Sequence, residues 1–280
     1  MADARRQAPT AERRAADEAP APVSTGAPGA EWRYDGASAE EIRRRLGVPL
    51  VALYRSLPST MDVAHALAAE GARAGTVVLA DHQTAGRGRA GRSWQSEAGA
   101  GIWLTLIERP QDARAVEVLA LRAGLRAALA LDRYAGGVIG LKWPNDLYLC
   151  GRKLAGVLIE ARWQDGAPTW VAIGIGINVR VPASLRVDAA GLQPGVNRTD
   201  ILAAVIPGLR AAAAMRGLLA ADELEEFARR DIARGRACTA PGAGRVEGVA
   251  ATGEIVILDQ GVARSYRSGS LVLAGELEGP

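Results

Sequence analysis

Nine consecutive residues, Gly86-Arg87-Gly88-Arg89-Ala90-Gly91-Arg92-Ser93-Trp94, hold three arginines and three glycines and end on an indole. Glycine lets the backbone take positive φ and bring its N–H groups close to a ligand, and each guanidinium presents a planar fork of donors that fits phosphate or carboxylate. The chemistry on offer is anion binding, for a nucleotide or an acyl phosphate. An exposed, solvated turn of the same composition is the alternative reading. The apolar, β-branched runs 76–80 and 101–107 bracket the loop and are predicted to be the strands that carry it.

Other polar side chains fall at predicted element ends. Lys142-Trp143-Pro144-Asn145-Asp146 leads through residues 147–150 and the turn Gly151-Arg152 into Lys153-Leu154-Ala155-Gly156. The run Gly174-Ile175-Gly176-Ile177-Asn178 follows the hairpin signal Asp165-Gly166. Upstream, Ser59 and Asp62 precede an apolar periodic run and read as a helix N-terminus, with Gly71 as its stop. Such a terminus aims free N–H groups at a nearby polar ligand, so Ser59 and Thr60 combine capping with a part in a pocket. Taken in order, S-T-x at Ser59, Q-x-A-G-R-G-R from Gln83, K-W-P-N-D, R-K-L-A-G and G-x-G-I-N resemble the catalytic domain of biotin protein ligases, closely over residues 59–179 and weakly beyond.

The resemblance implies an ATP-dependent enzyme that makes biotinyl-5′-adenylate and passes biotin to a lysine of the carrier domain of a biotin-dependent carboxylase. It assigns catalysis to Lys153, Arg89 and Asp146. Lys153 would direct its ammonium at the carboxylate and the α-phosphate, and Asp146 would bind the Mg²⁺ that arrives with ATP or orient Lys153. It assigns biotin to Ser59, Thr60, Met61, Gln83, Gly86, Arg87, Gly88, Arg89, Lys153 and Gly156, with Gln83 facing the ureido ring. Met61 stands where the family often has Asn, and a thioether cannot replace the hydrogen bonds of an amide. ATP and the adenylate fall to Arg89, Arg92, Trp94, Asn145 and Asn178, with the indole stacking on adenine. Bland readings stand beside these: a solvated strand-end lysine for Lys153, a core aromatic for Trp94, a plain turn for Pro144-Asn145-Asp146, and a β-bulge for Gly174 and Gly176. A lipoate–protein ligase and a non-catalytic biotin-binding regulator are the rival functions.

The elements that must position these residues follow from pattern and composition. A chain of 280 residues fits one substantial domain and a small one. The formal charge of +3 is too mild to argue for DNA or an anionic membrane. Cys150 and Cys238 lie far apart without metal-ligand spacing, and His65 and His82 are the only histidines, so no metal beyond the Mg²⁺ of ATP and no disulfide framework is expected. A reducing, cytoplasmic setting follows, and no apolar run reaches the about 18 residues of a membrane span.

Residues 1–30 are expected to be a disordered tail. The stretch ahead of Ser59 is too short for the winged helix-turn-helix of repressor members, so the likeness is to purely catalytic ones, without DNA, acting as monomer or homodimer. Helices are predicted at 39–46, 116–134, 199–215 and 222–234, and further strands at 50–56, 138–143, 153–163 and 170–179. Hairpin-paired strands amid long helices imply an α+β fold over 31–238, a mixed sheet flanked by helices of the class II synthetase-like ligase type. The glycine-valine texture of 239–280 implies a small SH3-like β-barrel. Strand 101–107 is free to pair across a subunit interface or inside the sheet.

Overall fold

The computed structural model describes residues 32–181 and 189–275. The expected N-terminal tail lies outside these residues, as does part of the irregular stretch after residue 181. The first helix, α1 (Ala39–Leu46), is fixed at both ends by its own sequence. The Ser38 hydroxyl accepts from the Glu41 N–H at 3.2 Å while the Glu41 carboxylate accepts from the Ser38 N–H at 2.7 Å, and Gly47 closes the helix at φ 62°. Strand β1 (Val51–Leu57), helix α2 (Thr60–Ala69) and strand β2 (Thr76–Gln83) follow as a parallel crossover, with Val51 opposite Val77 and Leu57 opposite Gln83. Strand β3 (Gly101–Glu108) is buried along its whole length.

The predicted helix 116–134 is two helices, α3 (Ala113–Glu117) and α4 (Leu119–Ala135). Val118 breaks them at φ −104°, ψ 2°; it is fully buried and leaves room only for a glycine, Gly253, in the facing turn, so packing overrides the local helical preference. Four antiparallel strands come next: β4 (Gly140–Lys142), β5 (Asp146–Leu149), β6 (Arg152–Gln164) and β7 (Ala167–Asn178). Helices α5 (Arg198–Ala214) and α6 (Ala221–Arg230) complete the larger layer. The second helix ends four residues before its predicted limit because Asp231 turns to an extended conformation, accepting the Ala233 N–H.

The seven-stranded sheet runs β1-β2-β3-β7-β6-β5-β4, parallel only between β1 and β2. Strand β3 is paired on both sides within the chain, to β2 and to β7, which answers the question left by its sequence. Helices α4 and α5 cover one face over the main apolar core, and α2 packs on the other through Val63, Ala64 and Ala68 against Ala80 and Ile107. The C-terminal part is a five-stranded antiparallel sheet in the order β11-β10-β9-β8-β12, made of β8 (Ala237–Ala240), β9 (Gly244–Val249), β10 (Ile255–Asp259), β11 (Val262–Tyr266) and β12 (Val272–Leu273).

Two buried arginines brace this frame. Arg198 on α5 reaches Asp35 at 2.9 Å and Asp81 at 2.6 Å and lies over the Tyr34 ring at 4.0 Å, fixing the end of β2 two residues before Gln83. Arg122 on α4 makes a bidentate pair with Glu223 on α6, at 2.8 and 2.9 Å, with both side chains out of water. Breaking such a pair from one side leaves an uncompensated charge, which costs about 3–5 kcal/mol, whereas replacing both partners by apolar residues of similar volume is close to neutral. Urea titration should therefore show Glu223→Ala losing about 3–5 kcal/mol of stability and Arg122→Met/Glu223→Leu recovering most of it. Equal losses in both variants would assign the effect to packing alone.

Candidate active site

One face of the sheet carries the polar residues that the sequence scatters along the chain, and a single extra residue makes this happen. Opposite β5, strand β6 is in register at Asp146↔Gly156 and Leu147↔Ala155, then skips to Tyr148↔Lys153. Leu154 is the extra residue, and Leu154 and Ala155 both turn into the core. Without that bulge Lys153 would point to the opposite face from Gly156; with it, the two share a face with Asp146 and Tyr148. Lys153 Nζ then lies 2.8 Å from Asp146 Oδ1. Lys142 pairs in register with Asp146 and is on the same face, its Nζ 5.6 Å from the Tyr148 ring centroid.

The floor of the cavity is bare backbone. Gly156 and Gly176 face each other across β6 and β7, and the indole of Trp94 lies on them. A Cβ on Gly176 would come 2.5 Å from Trp94 Nε1, and one on Gly156 would come 3.1 Å from its ring. Gly174, two residues along, leaves room for the buried Met61, whose methyl would be 2.7 Å from an added Cβ. The strand is in regular register at both Gly174 and Gly176, so the β-bulge reading of these glycines is replaced by a steric one. Lys153 Nζ stands 5.3 Å from the Trp94 ring centroid, within reach of a cation–π interaction. The Trp94 Nε1–H is buried and has no acceptor among the described residues, a deficit of about 1–3 kcal/mol for a donor that could have stayed in water.

At the closed end a chain of hydrogen bonds fixes the polar groups. The Thr105 hydroxyl donates to Thr60 Oγ1 at 2.9 Å, the Thr60 hydroxyl and N–H donate to Gln83 Oε1 at 3.1 and 2.8 Å, and Gln83 Nε2 donates to Ser96 Oγ at 3.0 Å. Ser59 caps α2 by accepting the Met61 N–H at 3.3 Å, so its own hydroxyl proton remains to be given. Gly86 is not part of the cavity wall. Its missing side chain accommodates the Trp94 carbonyl, which would stand 2.4 Å from a Cβ.

Loop 86–94 folds back on itself. Trp94 N–H donates to the Gly86 carbonyl at 2.8 Å, Gly88 N–H to Arg92 at 2.7 Å, and the tip is a single 3₁₀ turn with Ala90 at φ 54°. Its three arginines have different surroundings. Arg87 pairs with Asp62 at 2.8 Å and Glu160 at 3.4 Å, carboxylates of the protein itself. Arg89 reaches over the cavity to Asn145 Oδ1 at 3.5 Å and the Gly269 carbonyl at 3.4 Å, and burial pulls its pKa below the ordinary arginine value, leaving it cationic at neutral pH. Arg92 donates to Ser270 Oγ at 2.6 Å, so the C-terminal sheet closes one side of the site. The amides of Asn145 and Asn178 donate to the β6 carbonyls of Val157 and Lys153, at 2.7 and 3.4 Å.

Of the sequence-predicted residues, Ser59, Thr60, Met61, Gln83, Arg87, Gly88, Arg89, Arg92, Trp94, Asn145, Asp146, Lys153, Gly156 and Asn178 line one cavity of about 910 Å³; Gly86 does not. Lys142, Tyr148, Thr105 and Ser270 line it too and were not singled out from sequence. For Lys142 a signal existed, since it opens the K-W-P-N-D block and is barely exposed on a strand. Ser270 carries no such signal, because only the folded chain brings it to the loop. No group of three or more His, Cys, Asp or Glu side chains suited to a metal occurs among the described residues, and no helix in them is long and apolar enough to cross a membrane.

A mixed sheet with a cation-ringed, glycine-floored cavity beside a small β module defines a fold shared with solved biotin protein ligases. The structure from Aquifex aeolicus in complex with biotin and ATP superposes with a TM-score of 0.65 at 24% identity, over 80% of this chain and 97% of that one. Residues 53–178 match the Biotin/lipoate A/B protein ligase family. Among curated relatives, the bifunctional ligase/repressor BirA of Bacillus subtilis is 43% identical over 124 residues, 44% of this chain and 38% of that protein. The biotin–[acetyl-CoA-carboxylase] ligase of Mycobacterium tuberculosis is 42% identical over 124 residues, 42% of this chain and 45% of that protein. The matched stretch thus spans less than half the length of these relatives.

The two floor glycines should respond differently to a methyl group. Gly176→Ala must lift the Trp94 ring off backbone that cannot move, whereas Gly174→Ala meets only the mobile end of Met61. Near-ultraviolet circular dichroism is expected to change for Gly176→Ala and to stay close to wild type for Gly174→Ala. The reverse order would mean that the indole does not rest on the glycine pair.

Proposed function

We propose that this protein is an ATP-dependent biotin–protein ligase acting on the carrier domain of a biotin-dependent carboxylase in the cytoplasm. The observation that carries this reading is the convergence of Lys153, held by Asp146, and Arg89 on one cavity whose far end is neutral and hydrogen-bonding. Activation of biotin requires its carboxylate to attack the α-phosphorus of ATP, forming the acyl–phosphate bond and releasing pyrophosphate. Both partners are anions, so the reaction needs cations fixed between them before they meet. The ammonium of Lys153 and the guanidinium of Arg89 supply these, and the ion pair with Asp146 spares Lys153 the entropy of searching for its position.

Mg²⁺ would enter with the triphosphate. A Mg²⁺ site built from one or two carboxylates plus substrate phosphates suits Asp146 as the protein's contribution. When bound, the ion lowers the charge of the leaving pyrophosphate. In the second half-reaction a carrier lysine amine attacks the acyl carbon, the amide forms and AMP leaves. The loop's part is to keep water from the mixed anhydride, opening to admit substrates and closing over them. The Trp94 N–H, buried without an acceptor among the described residues, is the donor that the nucleotide would satisfy, and the indole gives adenine a face to stack on.

The ureido head of biotin has one acceptor oxygen and two N–H donors, which the Ser59 hydroxyl and the ordered Thr60–Gln83 chain complement. A lipoate dithiolane makes no such bonds and would leave the Ser59 hydroxyl without a partner, so the closed end favours biotin over lipoate. Met61 packs against sheet backbone at this end and supplies apolar contact where an amide would have bonded. Intact-mass analysis of a carrier domain incubated with biotin and MgATP should show one added biotin per chain. Lys153→Ala should slow its appearance by about 10²–10³-fold, the usual loss for one group aimed at a developing charge. A wild-type protein that leaves the carrier unmodified, or adds lipoate in preference, would refute the reading.

A further inference from the structure

Of the loop arginines, Arg87 is the one that forms ion pairs among the described residues, and neither partner belongs to the loop. Asp62 sits in the first turn of α2 and Glu160 on β6, on the same sheet face as Gly156. Glu160 is itself held. Its Oε2 accepts from His65 Nε2 at 2.9 Å, and His65 Nδ1 faces the Trp170 indole nitrogen at 3.1 Å. An indole nitrogen only donates, so Nδ1 must keep its lone pair, the ring proton resides on Nε2, and the imidazole becomes a fixed donor to Glu160. Burial holds the His65 pKa below the ordinary histidine value, which keeps that arrangement at neutral pH.

We infer that Asp62 and Glu160 are positioning residues that pin Arg87 and thereby set loop 86–94 across the cavity, with His65 and Trp170 orienting Glu160. Arg87 is spent on the protein's own carboxylates, and Arg89 and Arg92 are left for the ligand side. Because the loop is closed on itself by the Gly86–Trp94 and Gly88–Arg92 hydrogen bonds, a pin at its entry fixes the position of everything beyond it. The pin is made by the protein's own side chains. Its consequence for catalysis, retention of the adenylate, rests on the ligase reading.

The pin is ionic and partly exposed, Arg87 being 40% and Asp62 58% accessible, so salt should weaken it. The test is limited trypsin digestion of the full chain, scored by mass spectrometry at Arg87, Arg89 and Arg92, at low and high sodium chloride. It is run beside an assay for biotinyl adenylate released to solution. Glu160→Gln preserves the acceptor for His65 and removes only charge, and Asp62→Asn alters an exposed side chain; melting curves check that both fold. Wild-type cleavage should accelerate with salt, and the double variant should be cut about tenfold faster at low salt, with no further salt effect and with more free adenylate. Wild-type cleavage and wild-type leakage in the double variant would overturn the pin. If wild type forms no adenylate but the variants expose the loop, the pin stands and the ligase reading falls.

Discussion

The site depends on Lys153 lying on the cavity side of β6, and that orientation is produced by one residue too many in a strand. Leu154 and Ala155 share the core side, so the alternation of the strand slips by one and the lysine is turned from the helix-covered face to the open one. The Asp146 carboxylate, in register with Gly156 on the neighbouring strand, is then within 2.8 Å of the ammonium. The cost of bending the strand is offset by two buried side chains where regular pairing would bury one.

Around that pair the sheet provides absence as much as presence. Gly156, Gly174 and Gly176 clear a flat strip on which an indole and a thioether lie, while Thr60, Gln83, Thr105 and Ser96 fill the closed end with bonds that are already made. The polar groups of the closed end are thus held in place by one another. The loop completes the enclosure from two directions. Its entry is tied to the sheet and α2 through Arg87, and its far end is tied to the C-terminal sheet through Arg92 and Ser270. The small β module is thus a wall of the site as well as an appendage to the fold.

Much of this was legible in the chain. The strands around the loop, the capped helix after Ser59 and the paired strands β6 and β7 follow from alternation, caps and the Asp165-Gly166 turn, which are local signals. The local pattern of 116–134 is that of one continuous helix, because Val118 gives no local sign of the break imposed by packing near Gly253. Gly174 and Gly176 were legible as special but not as to why, since the reason is a Met and a Trp from distant segments. Arg87 looked like an anion ligand from composition, and only the folded chain brings Asp62 and Glu160 to it. Lys142 and Ser270 escaped for the same reason: register and module packing place them, and neither is written in nearby sequence.

On the ligase reading, two mutually repelling anions meet between Lys153 and Arg89 over the glycine strip. A crystal structure with a non-hydrolysable biotinyl adenylate analogue tests it directly. The linking phosphate or its surrogate should lie between the Lys153 ammonium and the Arg89 guanidinium, with the ureido ring at Ser59, Thr60 and Gln83. An analogue bound with its linking group away from both cations, or with its ring system outside this cavity, would contradict the account.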